Sequence, residues 1–286
     1  MDTMQGKRIM ITGPTSGVGK EIAIQLAALG AELILGCRDI KKGNETAAEI
    51  TRHSGSPLPA VMQVDLSDQE SIRAFARDFQ SKYNRLDVLI NNAASNRGML
   101  PRINSVDGIE LTFATNVLGY FLLTQELLGL LKKSAPARIV NVASTFASDL
   151  DLDDLQFEHR PFESFKAYAQ SKACNRLLTW ALARRLEKSG VTANAMTPGL
   201  IAETGLYRNA APELVDRLSQ RGGGRKSSQG ADTAVWLASS PEVEGISSKF
   251  FEERKELPCE FRNTATEEKL WLICEELVNK GSPQVH

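Results

Sequence analysis

Cysteine is scarce in this 286-residue chain: Cys37, Cys174, Cys259 and Cys274 are scattered and none falls in a CxxC pair. That argues against a disulfide framework or a zinc ribbon. Only three histidines occur (His53, His159 and His286), none at ligand spacing from another candidate, so no metal site is expected. Long apolar runs are missing as well. The most apolar stretch, 118–131, is interrupted by Gln125 and Glu126, short of the roughly 20 residues a membrane span requires. The first residues pass directly into an apolar strand, with neither the apolar core of a signal peptide nor an Arg/Ser-rich transit segment. Nor does one sign of charge dominate: 34 basic and 35 acidic residues leave a formal net charge of −1. Spread along the chain, this gives no electrostatic footprint for nucleic acid. With 42% hydrophobic residues, the composition is also not that of a disordered scaffold. These absences lead to an expectation of a cytoplasmic protein with no metal, no membrane span and no nucleic-acid partner.

What is present is a regular alternation of short apolar runs with longer stretches of helical period, the pattern of βαβ units around a parallel sheet. Strands are expected at 8–12, 32–36, 61–64, 88–91, 139–142, 193–196 and 248–251. Helices are expected near 17–30, 41–53, 68–83, 107–132, 164–189, 211–219, 229–239 and 265–279. Several of the strands show little polar alternation, as strands covered on both faces do. Ser67 followed by Glu70 has the form of a capping box at a helix start. Three glycines beside basic residues at 221–228 suggest a mobile surface loop. No repeat and no dividing linker occur, so the expectation is one doubly wound α/β domain of about seven strands, spanning 1–286.

The first strand runs into Thr12-Gly13-Pro14-Thr15-Ser16-Gly17-Val18-Gly19-Lys20, and a helix follows at once. Glycines there permit a tight turn and close approach of a pyrophosphate, while the helix N-terminus offers free N–H groups and positive dipole. A glycine-rich turn without ligand is the competing reading, weakened by the strand–turn–helix context. The second strand bears on the cofactor. An acid at its end would bond a ribose 2′-hydroxyl, whereas a nearby arginine accommodates a 2′-phosphate. Here the strand ends Leu35-Gly36-Cys37-Arg38, so NADP(H) is favoured over NAD(H), Arg38 supplying a planar fork suited to phosphate. Asp39 could blunt that preference or pair with Arg38, and Arg38 could be an ordinary surface residue.

Tyr168 and Lys172 are four residues apart on a strongly helical stretch, hence on one face, one turn apart. A phenol near its reference pKa of about 10 is a reluctant base. A neighbouring ammonium favours the phenolate and moves it toward the working pH. Such a pair alone is a weak signal. The fifth strand, however, delivers Ser144 at its carboxyl end, where ligands bind in open α/β sheets. The fourth ends Asn91-Asn92-Ala93-Ala94, polar then small residues fit to line a groove. Asn116 is a polar residue within an apolar helix; a satisfied buried amide is its structural reading, compatible with holding a proton-relay water.

Together these segments resemble the short-chain dehydrogenase/reductase superfamily over residues 7 to 279. The family's Thr-Gly-x3-Gly-x-Gly motif corresponds to Thr12–Gly19, its Asn-Asn-Ala-Gly motif to Asn91–Ala94 with Ala in the last place, and its Pro-Gly motif to Pro198-Gly199. Its catalytic tetrad falls on Asn116, Ser144, Tyr168 and Lys172. The resemblance narrows to the retinol dehydrogenase-like branch through Gly36-Cys37-Arg38-Asp39, Asp65-Leu66-Ser67, 115–124, 154–156, 230–233, 244–251 and Leu270-Trp271. It implies an oxidoreductase that uses NADP(H). The cofactor would be held by Gly13, Thr15, Ser16, Gly17, Val18, Gly19, Arg38, Asp65, Leu66, Asn92, Ala93, Ala94, Tyr168, Lys172, Pro198 and Gly199. Asp65 is expected near the adenine, and Asn92 to Ala94 near the ribose and nicotinamide. Thr204 stands five rather than four residues beyond Gly199, which argues against its contacting the nicotinamide amide. The N-terminal anchor of the membrane-bound retinol dehydrogenases is not seen in the sequence. A homo-oligomer formed through the helices near 107–132 and 164–189 is consistent with the family.

The substrate pocket is expected from the segments 149–165 and 203–228. Phe157, Phe162, Phe165, Leu206 and Tyr207 fit an apolar aldehyde, ketone or alcohol of retinal-like, steroid-like or polycyclic shape, although aromatics at such spacings are often plain core. Asp149, Asp151, Asp153 and Asp154 read first as a solvated acidic face, and second as a contact for a cationic substrate. The alternatives to a general carbonyl reductase are a catalytically idle NADPH-binding sensor and a specialised natural-product ketoreductase.

Overall fold

Alternation along the first strand sets the layers. In β1 (Arg8–Thr12), Ile9 and Ile11 face one layer of helices and Met10 the other, because successive side chains leave a strand on opposite faces. The computed structural model describes residues 3–96, 100–201, 224–258 and 262–280. Its elements follow the expected βα alternation: α1 (Gly17–Ala28), β2 (Glu32–Cys37), α2 (Ile40–Ser54), β3 (Ala60–Gln63), α3 (Gln69–Lys82) and β4 (Val88–Asn91). A composite helix comes next, made of α4 (Leu111–Phe113), a π-helical turn (Ala114–Leu118) and α5 (Gly119–Lys133). The chain continues through β5 (Ala137–Val142), α6 (Ser164–Arg185), β6 (Val191–Met196), α7 (Ser227–Ser239), β7 (Phe250–Glu252), β8 (Lys255–Leu257) and α8 (Thr264–Lys280).

The sheet order is β3-β2-β1-β4-β5-β6-β7-β8, parallel except for the last pair. This is a doubly wound arrangement, and the order reverses between β1 and β4. A crevice therefore opens at the carboxyl ends of the strands. On one face α1 and α2 cover β1 to β3 and α7 covers β5 and β6, through Ile22, Leu26, Ile50 and Leu237. On the other, α3, α5 and α6 carry a core that includes Phe75, Phe79, Leu123 and Trp180. Helix α1 buries Gly19, Ile22, Ala23, Leu26 and Ala27, the three-and-four spacing of a single buried stripe. Helix α6 is buried nearly all round, since the sheet lies on one side and α4, the π-helical turn and α8 on the other.

Three expectations are corrected, and the expected sheet of about seven strands is completed by an eighth: β7 and β8 form a hairpin whose central residues, Glu253 and Arg254, both have positive φ. That is the geometry of a two-residue type I′ turn, here without its usual Asn or Gly. The cap of α3 is Asp68, whose carboxylate accepts from the Ser71 N–H. Ser67 instead turns back and donates, through both N–H and hydroxyl, to Asp65 Oδ1. The helix expected from 107 begins at Leu111, since buried Glu110 accepts from the N–H groups of Thr112 and Phe113 and caps it there. The four aspartates of the 149–165 insert are not one solvated face. Asp154 is buried and accepts from the backbone of Glu158, His159 and Arg160, while Asp153 pairs with Lys269 of α8. The expected helix 211–219, Leu206 and Tyr207, and Thr204 lie outside the described residues, as does part of the loop expected at 221–228.

Helix α8 packs on α6 and reaches α5 through Trp271, whose ring stands edge-on to Phe121 at 4.8 Å. Arg184 and Arg185 of α6 pair with Glu267 and Glu268, and Arg73 of α3 donates to the Val278 carbonyl. The helix pair through which a second subunit was expected thus bears this chain's own C-terminal helix. Among the described residues, no helix is long and apolar enough to cross a membrane, and no cluster of His, Cys, Asp and Glu could hold a metal ion.

Candidate active site

The carboxyl ends of β1, β2, β4 and β5 border one cleft of about 560 Å³, within the range of ligand sites. Every residue expected to bind cofactor lines it, as do Ser144, Tyr168 and Lys172. Asn116 does not; it is fully buried behind the wall.

At the β1 end, the turn depends on close backbone packing. Gly13 has φ +63°, and a Cβ there would lie 2.7 Å from Ala93 Cα. A Cβ on Gly19 would fall 2.3 Å from Asn92 Nδ2 and from the Gly13 carbonyl oxygen. Asn92 staples this turn: its amide donates to the carbonyls of Thr12 (2.9 Å) and Gly13 (3.1 Å). Both amide hydrogens are thereby used, so Asn92 shapes the cradle and does not reach into it as a donor. The N-terminus of α1 stays open, with no side-chain cap from Ser16 and no acidic residue in its first turn. Free N–H groups and positive dipole therefore face the cleft, as an anion requires.

At the β2 end, Cys37 occupies the last strand position and burial pushes its thiol up to about 11. It presents no charge to a neighbouring ribose. Asp39 caps α2, accepting from the Lys42 N–H at 3.1 Å, and pairs loosely with the Lys42 ammonium rather than with Arg38. Arg38 is exposed at the rim and forms no ion pair among the described residues. Asp65 lines the cleft with Oδ1 already engaged by Ser67.

At the β5 end, Ser144 follows the last ladder residues. Its Oγ accepts from the Phe146 N–H at 3.1 Å, which leaves the hydroxyl proton to be given elsewhere. Tyr168 and Lys172 come from α6, a turn apart. Lys172 is 1% exposed, and its Nζ donates to the Val142 carbonyl at 2.8 Å. The ammonium sits 5.6 Å from the ring centroids of both Tyr168 and Tyr120. Burial pushes Lys172 down to about 7, so at neutral pH it can both hold and release a proton.

Asn116 lies in the π-helical turn, a feature that recurs at functional sites. Its Oδ1 accepts from the Ser95 N–H at 2.7 Å, and its amide donates to the Ser95 carbonyl and to Ser171 Oγ, both at 3.0 Å. The side chain thus splices the loop after β4 to the helix that carries Tyr168. Several cleft residues escaped the sequence reading, notably Lys42, Ser95, Thr115, Phe146 and Ile201. Lys42, four residues beyond Arg38 in a basic helix start, left the clearest trace. Of the expected pocket aromatics, Phe157 is core, stacked edge-on with Phe162. Phe165 meets Phe146, a residue of the cleft wall, at 5.7 Å from behind it.

A family model described as short chain dehydrogenase matches residues 7–214. Human retinol dehydrogenase 14 is 41% identical, covering 96% of this chain and 87% of its own. Mouse retinol dehydrogenase 12 is 40% identical, covering 96% and 86%. Among solved structures, an uncharacterised protein of Mycobacterium paratuberculosis superposes with a TM-score of 0.77 at 29% identity over 98% of this chain and 96% of that one. The Pseudomonas aeruginosa RhlG/NADP active-site complex does so at 0.72, 26% identical over 87% and 95%.

Proposed function

Because the chain belongs to the short-chain dehydrogenase family, in its retinol dehydrogenase-like branch, we propose that it is an NADP(H)-dependent carbonyl reductase for apolar aldehydes or ketones. The observation that carries this reading is the convergence on one cleft of an open helix N-terminus, Ser144, Tyr168 and a buried Lys172. When bound, the nicotinamide supplies the hydride; the chain's residues bind, orient and handle the proton. The α1 N-terminus receives the pyrophosphate, and Arg38 with Lys42 receives the 2′-phosphate. Ser144 donates its hydroxyl proton in a hydrogen bond to the substrate oxygen, polarising the carbonyl. Tyr168 gives that oxygen its proton as the carbon accepts hydride, leaving a phenolate that the Lys172 ammonium favours. With Lys172 near 7, a proton returns to Tyr168 at neutral pH, by a path that passes the widened turn at Asn116. Phe146 in the cleft wall, backed by Phe165, and the names of the relatives favour an apolar substrate such as retinal. Every residue in the reading comes from one chain.

The test is oxidation of NADPH, followed by absorbance with all-trans-retinal and nonanal, and NADH in parallel. Turnover should favour NADPH, and Tyr168→Phe should lose about 10²–10⁴-fold in kcat with NADPH affinity kept within a few-fold. Equal use of NADH would remove the role given to Arg38, and full turnover by the Phe variant would remove that of Tyr168.

A further inference from the structure

One turn beyond Lys172 on α6, Arg176 is 3% exposed and has no place in the chemistry above. Its guanidinium lies over the Phe250 ring of β7, 3.8 Å from the centroid. Its Nη2 donates to the Ser144 carbonyl at 2.6 Å. Lys172 does the same to the Val142 carbonyl. Two side chains one turn apart on α6 thus donate to two backbone carbonyls at the exit of β5.

Strand pairing runs out at this place. Val142 is the last residue of β5, and the Ala143 N–H still donates to the Met196 carbonyl. The Ser144 carbonyl lies beyond the ladder. A buried carbonyl left without a donor is costly, and a charge-assisted bond from a planar group held flat on an aromatic face fixes it more firmly than a neutral one. With its carbonyl held by Arg176 and its Oγ turned by the Phe146 N–H, the Ser144 peptide has little freedom to rotate.

We propose that Arg176 is a positioning residue for the reaction: anchored on Phe250, it holds the Ser144 carbonyl and so aims the Ser144 hydroxyl at the reacting oxygen. This rests on the role given to Ser144 in the proposed function, and the experiment separates the two. The measurement is a double-mutant cycle with NADPH and retinal or nonanal, using Ser144→Ala, Arg176→Met and the pair, with kcat and the NADPH dissociation constant read for each. Arg176→Met should lower kcat at least tenfold in the native background, leave NADPH affinity within twofold, and cost less than twofold more on top of Ser144→Ala. A variant that merely loosened the fold would lower activity by the same factor in both backgrounds.

Arg176→Lys keeps the charge but cannot lie flat on Phe250. It should lose about three- to tenfold in kcat, again only where Ser144 is present, and it carries the test if the methionine variant is insoluble. Equal losses in the two backgrounds, or unchanged kcat in the folded Arg176 variants, would overturn the inference. Full activity of Ser144→Ala alone would overturn the reading of Ser144, and this inference with it.

Discussion

Lys172 is a cation that folding places where a cation is least welcome. Its ordinary pKa is 10.5, and burial lowers it to about 7. Below about pH 7 the group is charged in folded and unfolded chains alike, and the folded state bears the whole desolvation cost. Between about 7 and 10.5 the unfolded chain binds a proton that the folded one does not, so stability rises with pH over that window. Lys172→Met should therefore unfold at a higher temperature than the native chain at pH 6, with a narrower gap at pH 9. Thermal unfolding of the two proteins across that range measures it; a gap that does not change with pH would refute the assignment. Under the proposed function the same variant should also be inactive. At this scale the sequence was informative about residue type and poor about commitment. That Tyr168 and Lys172 share a helix face follows from their spacing, and that Ser144 lies at the cleft follows from its place at the end of an apolar strand. That Asn92 and Asn116 use their amides on backbone and neighbouring side chains was not, since a side chain's partners lie in other elements. Nothing in the sequence sets Arg176 apart from other charges on a helix; its burial does.

At the level of elements, the glycine turn shows how tightly one unit constrains another. Gly19 opens no loop; it lets α1 lie against Asn92, whose bonds hold the carbonyls of Thr12 and Gly13 in place. Gly19→Ala puts a methyl group 2.3 Å from two polar atoms, and neither can retreat without undoing the staple. The expected outcome is NADPH binding weakened at least tenfold, by fluorescence titration, with thermal stability lowered as well. Binding equal to that of the native chain would show that the turn relaxes freely. The strands that build this turn were readable because each is an apolar run buried on both faces. β8 was not, being three residues long with Lys255 and Glu256 exposed and a reversal at Glu253-Arg254 that carries no glycine signal. Asp68 and Ser67 are adjacent residues that can each cap a helix, and only the geometry decides between them. The π-helical turn leaves no periodic trace at all, because one widened turn barely shifts an apolar pattern.

The whole molecule is a doubly wound sheet whose second helical layer is closed from outside by α8. Trp271 is buried against Phe121 and stacked under the Arg185 guanidinium, and ion pairs flank it on the α6 side. Trp271→Ala should cost about 3–5 kcal/mol, read from urea unfolding. The loss should fall on stability and leave NADPH affinity unaltered, because no residue of α8 lines the cleft. A loss of binding without a loss of stability would contradict this placement. The alternation of strands and helices announced the architecture, but nothing in it told that α8 would lie across α5 and α6. Its apolar stripe is short and its charges read as surface until Arg184 and Arg185 are seen opposite them.

The cleft has a further consequence. In the proposed reading, the residues that would distinguish one nucleotide from another, Arg38 and Lys42, stand after β2 and at the start of α2, while Ser144 and Tyr168, which would meet the reacting carbonyl, stand after β5 and on α6. The two groups share no side chain, and the Asn92 staple lies between them. Preference for a cofactor and preference for a substrate are therefore separately adjustable. A lineage carrying this scaffold can change either trait first, through substitutions some hundred residues apart, without passing through an inactive intermediate.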